Sequence, residues 1–170
     1  MKLTNEKYYK FVGWTIFLIV FFLAYQDTTG LQMFDQVGGY GTDFHNKINN
    51  LYMELFWTFA SVLIGAVAAA FYYFRRDISE SIAIFIGSWI VLFGGAEDVV
   101  YYWILGRPGL DASMPWLYNI TIGWTSKYIL GLDTVTPLGL YLQLGLSIVV
   151  AIIVVRWLRG YNKKIGGIKI

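Results

Sequence analysis

Two adjacent acidic residues, Glu97 and Asp98, lie inside an otherwise apolar stretch of the chain, residues 81–105. This stretch is long enough to cross a membrane as a helix. A carboxylate near the centre of a spanning helix costs roughly 2.5–3.5 kcal/mol on insertion scales, so this acidic pair requires a partner, a proton or a water-filled cavity. Because ionisable residues inside a membrane usually mark a functional site, the acidic pair is the centre of the predicted site.

Other polar residues are expected to reach the depth of the acidic pair. Glu54 lies just inside the second apolar segment, and Gln143 lies near the beginning of the last one. Tyr101 and Tyr102 each follow one of the two acids by four residues, so each could donate a hydrogen bond from the next helical turn. The sequence therefore predicts a polar cluster in one half of a helix bundle, and it predicts no equivalent cluster in the other half.

Three kinds of chemistry fit such a cluster. Oxygen ligands suit a hard divalent cation such as calcium, magnesium or manganese, and the candidate ligands are then Glu97, Asp98, Glu54 and, if the preceding loop folds back, His45. Neighbouring carboxyl groups could instead pass a proton or act in general acid–base catalysis. The third interpretation is structural: the acids bond to the tyrosines and Gln143, or to an arginine of a partner.

Composition places the chain among membrane proteins. Hydrophobic residues make up 57% of its 170 residues and charged residues 14%, against about 25% charged in soluble domains. Cysteine is absent, which excludes iron–sulfur clusters, and the single histidine excludes a bis-histidine haem. The formal net charge of +2 is too small to indicate a nucleic-acid-binding surface.

Four apolar segments predict one all-α domain over residues 1–170, a bundle of four transmembrane helices at about 9–25, 51–74, 81–105 and 138–155. Asp77 and Glu80 have capping-box spacing directly before the third segment, so the second and third helices should form an antiparallel hairpin. Large apolar residues recur every four positions within 113–129, at Trp116, Ile120, Trp124 and Tyr128, which predicts an aromatic interfacial helix in the second outer loop. Residues 26–50 are predicted to be a polar loop.

The distribution of lysine and arginine predicts the orientation. These residues concentrate before the first apolar segment, in the short turn after the second and after the fourth, whereas the two long loops are rich in aspartate. Basic residues accumulate on the cytoplasmic side of membrane proteins. Both termini are therefore predicted to be cytoplasmic and both long loops extracytoplasmic.

The sequence leaves two functions open. Its small size, the lack of a soluble domain and of a complete catalytic set, and the abundant aromatic residues favour an accessory subunit of a larger membrane complex. The alternative is a stand-alone protein whose outward-facing carboxylate pocket binds a cation or relays protons, in transport or in chemistry on a lipid-borne substrate. The expected partners are the lipid bilayer and other membrane subunits or further copies of the chain, with no nucleic acid.

Overall fold

All regular structure in the part of the chain that is described is α-helical. The computed structural model describes the backbone of residues 5–37, 43–100 and 123–164, and the side chains of residues 6–27, 54–100 and 123–161. The helices are α1 (Asn5–Val37), α2 (Asp43–Arg75), α3 (Ile78–Phe93), α4 (Ala96–Val99), α5 (Trp124–Tyr128) and α6 (Pro137–Lys164).

Three of these helices contain segments long and apolar enough to span a membrane: Glu6–Asp27, Glu54–Arg75 and Pro137–Tyr161. In lipid, each backbone N–H and C=O group must be bonded within the protein, and a helix achieves this within one segment. The all-α class and the integral-membrane character predicted from the sequence agree with this architecture. α3 is apolar as well, but it is shorter than the three candidate spans.

The start of α3 follows the sequence prediction. Asp77 caps it, because the Asp77 carboxylate accepts hydrogen bonds from the backbone N–H groups of Ser79 and Glu80 at 3.1 and 3.2 Å. Glu80 does not complete a capping box with the backbone, since its carboxylate bonds to Arg75 instead. The chain turns between Arg75 and Ile78, and α3 packs against α2, so the predicted hairpin is confirmed.

The predicted polar loop at 26–50 is wrong over most of its length. α1 continues to Val37 and α2 already begins at Asp43, so His45 is part of a helix. Once a helix has formed, each further residue adds a backbone hydrogen bond, which explains why polar residues and Gly30 do not end α1. The glycine-rich run at 38–42, which the sequence predicts to be irregular, lies outside the described residues.

The third predicted helix is not continuous. α3 ends at Phe93, the chain passes through Gly94 and Gly95, and α4 begins at Ala96. Gly95 has φ 83°, a left-handed conformation that glycine adopts without the steric cost of a Cβ atom. The break changes the direction of the side chains beyond it. The helix that the sequence predicts to be unbroken over 81–105 is therefore interrupted after Phe93.

α3 is the central element of the described bundle, since α1, α2 and α6 all pack on it. The core contains Leu23 of α1, Ile64 of α2 and Ile84 of α3, all fully buried. The short helix α5 packs on α6. Thr136, directly before α6, caps that helix because its hydroxyl accepts a hydrogen bond from the Gly139 N–H at 3.2 Å. Of the predicted interfacial helix at 113–129, only residues 123–129 are described, and 124–128 are helical.

Candidate functional site

The acidic pair occupies the first turn of α4, directly after the break in the third helix. Glu97 and Asp98 are both half-buried, and α4 packs between α1 and α6. Asp27 of α1 lies beside them, with its carboxyl group within hydrogen-bonding reach of Glu97 and within electrostatic reach of both members of the pair. Asp27, Glu97 and Asp98 together form what we call the carboxyl cluster.

The hydrogen bond between Asp27 and Glu97 has a direct chemical consequence. An ionised carboxylate has no donor, so two carboxyl groups can bond to each other only when one of them carries a proton. A hydrogen bond between the Asp27 and Glu97 side chains therefore implies a proton on one of the two. Asp98, the neighbour of Glu97 in sequence, supplies a third carboxyl group within electrostatic reach.

Glycine brings the helices together next to the carboxyl cluster. A Cβ atom added at Gly94 would collide with the side chain of Ser147 in α6, so only glycine fits there. Small residues allow such close approach of helices. The backbone groups at the break remain bonded, since the N–H groups of Gly94 and Gly95 donate to Ile90 and Leu92 at 3.0 Å.

Two other predicted site residues have different surroundings. Glu54 is exposed on α2, and it is not among the charged groups that act on the acidic pair. Gln143 is buried, and its side-chain oxygen accepts hydrogen bonds from the N–H and hydroxyl of Thr125 at 3.2 and 3.0 Å. These bonds hold α5 against α6. The structure therefore brings Asp27, rather than Glu54, to the acidic pair.

The remaining predicted residues cannot be placed by their side chains. Tyr101 and Tyr102 lie outside the described residues, and of His45 only the backbone, within α2, is described. Among the described residues, no three histidine, aspartate or glutamate side chains are arranged to hold a metal ion. The divalent cation site that includes His45 stays a prediction.

Sequence reasoning missed Asp27 because it treated that residue as the start of a loop. A usable signal was present: Asp27 directly follows the first apolar segment, at the end where an antiparallel arrangement also places Glu97. Extending α1 by a single turn would have brought Asp27 into the bundle. The continued helix, which runs to Val37, is what makes this residue part of the cluster.

A second charged cluster lies at the end of the bundle where α2 turns into α3, which we call the turn end. Arg159 of α6 is 9% exposed, and its guanidinium bonds to the Asp77 carboxylate at 3.0 Å. The same guanidinium lies 4.2 Å from the centre of the Tyr8 ring, an attractive cation–π arrangement. The Tyr8 hydroxyl donates to the Ser79 carbonyl at 3.4 Å. These contacts connect α1, α6 and the beginning of α3.

A further ion pair joins the turn-end cluster from α2. Arg75 bonds to Glu80 at 2.9 Å, and the Glu80 side chain is 2% exposed. Burial alone would raise the pKa of Asp77, but the hydrogen bonds from Ser79 and Glu80 and the Arg159 charge lower it below the ordinary value. The expectation that only one half of the bundle contains a polar cluster is therefore wrong. Asp77, in the turn before α3, and Arg159, near the end of α6, are far apart in sequence but form an ion pair in the folded protein.

Comparison with protein-family models, with curated proteins and with solved structures finds no match to this chain. The class of the protein, a helical protein with three helices able to span a membrane, follows from its own residues. The two polar clusters have different characters. The turn-end cluster pairs each acid with a base and connects helices, whereas the carboxyl cluster brings three acids into electrostatic reach of one another.

Proposed function

We propose that this protein takes up and releases a proton at the carboxyl cluster, within the membrane. The observation that supports this proposal best is the closeness of the Asp27 and Glu97 carboxyl groups, because two carboxyl groups bond to each other only when one carries a proton. The break at Gly94 and Gly95 gives further support. Irregular backbone at membrane depth is tolerated where it is buried in protein or lines a cavity, and transporters use such broken helices to form ion sites.

The proposal includes a topology of four crossings. α1, α2 and α6 supply three of them, and α3 with α4 begins the remaining one. Lysine and arginine are concentrated near the termini and in the α2–α3 turn, so we place both termini and the turn end on the cytoplasmic side. The carboxyl cluster then lies towards the extracytoplasmic side. A proton held there could be used in transport or in acid–base chemistry on a lipid-borne substrate.

Infrared spectroscopy of the protein in lipid vesicles tests this proposal. A protonated carboxyl group has a carbonyl band that a carboxylate lacks, so the wild type should show this band at neutral pH and lose it as the pH is raised. Glu97→Gln and Asp27→Asn keep the side-chain shapes but remove the titrating groups, so each should abolish the band. Asp133→Asn, an exposed residue between α5 and α6, is the matched control.

Two results would refute proton binding. One is a wild-type spectrum without a protonated carboxyl band at any pH at which the protein stays folded. The other is a band that persists in both Glu97→Gln and Asp27→Asn. The competing cation interpretation is tested on the same samples, because bound-metal analysis of wild type against Glu97→Gln would then show a loss of metal in the variant.

The second candidate function is the accessory subunit. Only 22% of the apolar window of α2 and 28% of that of α6 are buried, so both helices offer wide apolar faces to lipid or to partner helices. The native mass of the particle extracted in mild detergent distinguishes the two functions. A large particle with partners in fixed stoichiometry supports the subunit, whereas a monomer or small homo-oligomer supports the stand-alone protein.

A further inference from the structure

An apolar groove runs along the outside of the described bundle between α1 and α6. Both helices pack on α3, and the groove between them has α3 and α4 as its floor and a volume of about 680 Å³. Its α1 side extends from Tyr9 to Val20, which is roughly 16 Å at 1.5 Å per residue. Apart from one end, the side chains that line it are uncharged.

Two cations lie at that end. Lys10 of α1 and Arg156 of α6 both line the groove, and both are exposed. They lie at the same level, since the Arg156 guanidinium is 5.9 Å from the centre of the Tyr9 ring. Lys10 falls near the start of one candidate span and Arg156 near the end of another. The cations therefore lie at the depth of lipid headgroups while the rest of the groove faces acyl chains.

These two charges are less neutralised than those of Arg75 and Arg159 at the turn end. Arg75 and Arg159 are neutralised by Glu80 and Asp77. Arg156 forms no ion pair with any described side chain, and Lys10 pairs at 2.7 Å with Glu6, where both side chains are at least 70% exposed. Such exposed pairs contribute little, so an anion could replace Glu6 at low cost.

We propose that this groove binds one anionic phospholipid, with an acyl chain along the apolar lining and the phosphate against Lys10 and Arg156. Charge complementarity selects this occupant: a lipid without net charge would bring no net negative charge to Arg156 and the weakly paired Lys10, and an apolar partner helix would have no group to meet them. This inference does not depend on proton binding at the carboxyl cluster, because the two cations that select the lipid lie at the other end of the groove.

Gly13 provides a way to fill the groove. It lines the groove, and a Cβ atom added there meets no atom within 4 Å, so a large side chain enters open space rather than the core. Gly65 of α2 has the same open surroundings but does not line the groove. Gly13→Phe and Gly65→Phe therefore form a matched pair that differs in whether the groove is blocked.

The experiment is a lipid titration followed by native mass spectrometry. The delipidated full chain in detergent is titrated with phosphatidylglycerol and, separately, with phosphatidylcholine. We expect one phosphatidylglycerol to bind about thirtyfold more tightly than phosphatidylcholine, since each of the two basic residues contributes about fivefold near a membrane. Lys10→Gln with Arg156→Gln should remove this preference. Gly13→Phe should weaken binding of both lipids, and Gly65→Phe should not.

Several outcomes would overturn the proposal. Equal affinity of the wild type for the two lipids would do so, as would an unchanged preference in the double glutamine variant. A second protein chain held in the groove in place of lipid, lost specifically in Gly13→Phe, would assign the groove to a partner helix. If Gly13→Phe does not fold, the double glutamine variant decides the matter alone, because Lys10 and Arg156 are exposed.

Discussion

The ion pair between Asp77 and Arg159 should be the most sensitive point of the turn-end cluster, and Asp77→Asn isolates it. One carboxylate oxygen of Asp77 accepts the capping hydrogen bonds of α3, and the other accepts from Arg159. Asparagine is as good a helix cap as aspartate. The substitution therefore keeps the cap and places an uncharged amide against the guanidinium.

The expected cost follows from the burial of the two side chains. Removing one partner of a buried ion pair costs about 3–5 kcal/mol, and the Arg159 and Asp77 side chains are 10% and 22% exposed, so we expect about 3 kcal/mol. Asp77→Ala also removes the cap and should cost about 1 kcal/mol more. Arg159→Met keeps an apolar contact with Tyr8 and should cost about 2 kcal/mol, through the lost ion pair and cation–π contact.

The assay is reversible unfolding in detergent micelles, with helix content followed by circular dichroism. A double-mutant cycle of Asp77→Asn and Arg159→Met should give a coupling energy of about 2 kcal/mol. Glu6→Gln is the control, because it breaks an exposed pair with Lys10 and should change the free energy of unfolding by less than about 0.5 kcal/mol.

Additive energies in this cycle would refute the reasoning. They would mean that the Asp77 and Arg159 side chains do not interact in the folded protein, even though each is largely buried. Equal costs for Asp77→Asn and Asp77→Ala would contradict a different step, the separation of the cap from the ion pair.

Three further predictions concern packing, a buried hydrogen bond and pH. Gly94→Val should destabilise the fold by about 1–3 kcal/mol, because the new side chain collides with Ser147. Gly65→Ala places its methyl group in open space and should stabilise the fold by about 0.5–1 kcal/mol. Unfolding in detergent measures both changes. Gln143→Leu should cost about 1–3 kcal/mol and speed amide hydrogen exchange in α5, which loses its acceptor; unchanged exchange would contradict this role. The lowered pKa of Asp77 means that its contribution to stability is complete above the ordinary value of about 3.9 and is lost as the pH falls through the lowered value. As the pH falls through that window, the free energy of unfolding of the wild type should approach that of Asp77→Asn. A constant difference between the two proteins at all pH values would refute this prediction.

The apolar segments could be located from the sequence because a membrane imposes a simple requirement on a chain. A run of about twenty apolar residues is rare in soluble proteins, and in lipid its backbone must be helical. The three candidate spans overlap three of the four predicted segments. The cap at Asp77 was also predictable, since it depends only on residues next to each other in sequence.

Other features depended on contacts between distant parts of the chain. Polar residues around Asp27 read as a loop, yet α1 continues through them. The break at Gly94 and Gly95 lies in a segment whose composition is that of an unbroken helix, and it reflects the close approach of Ser147 from α6. Propensity is a weak signal wherever packing between helices decides the local conformation.

By itself, the sequence determined that this is a helical protein with the character of a membrane protein, and that Glu97 and Asp98 need a partner, a proton or a water-filled cavity. Only the tertiary structure decided which groups come to them: Asp27 of α1 and not Glu54 of α2. The same holds for Asp77 and Arg159, which are 82 residues apart. The energy of a polar group depends on what surrounds it in space, and residue type and spacing along one helix do not contain that information.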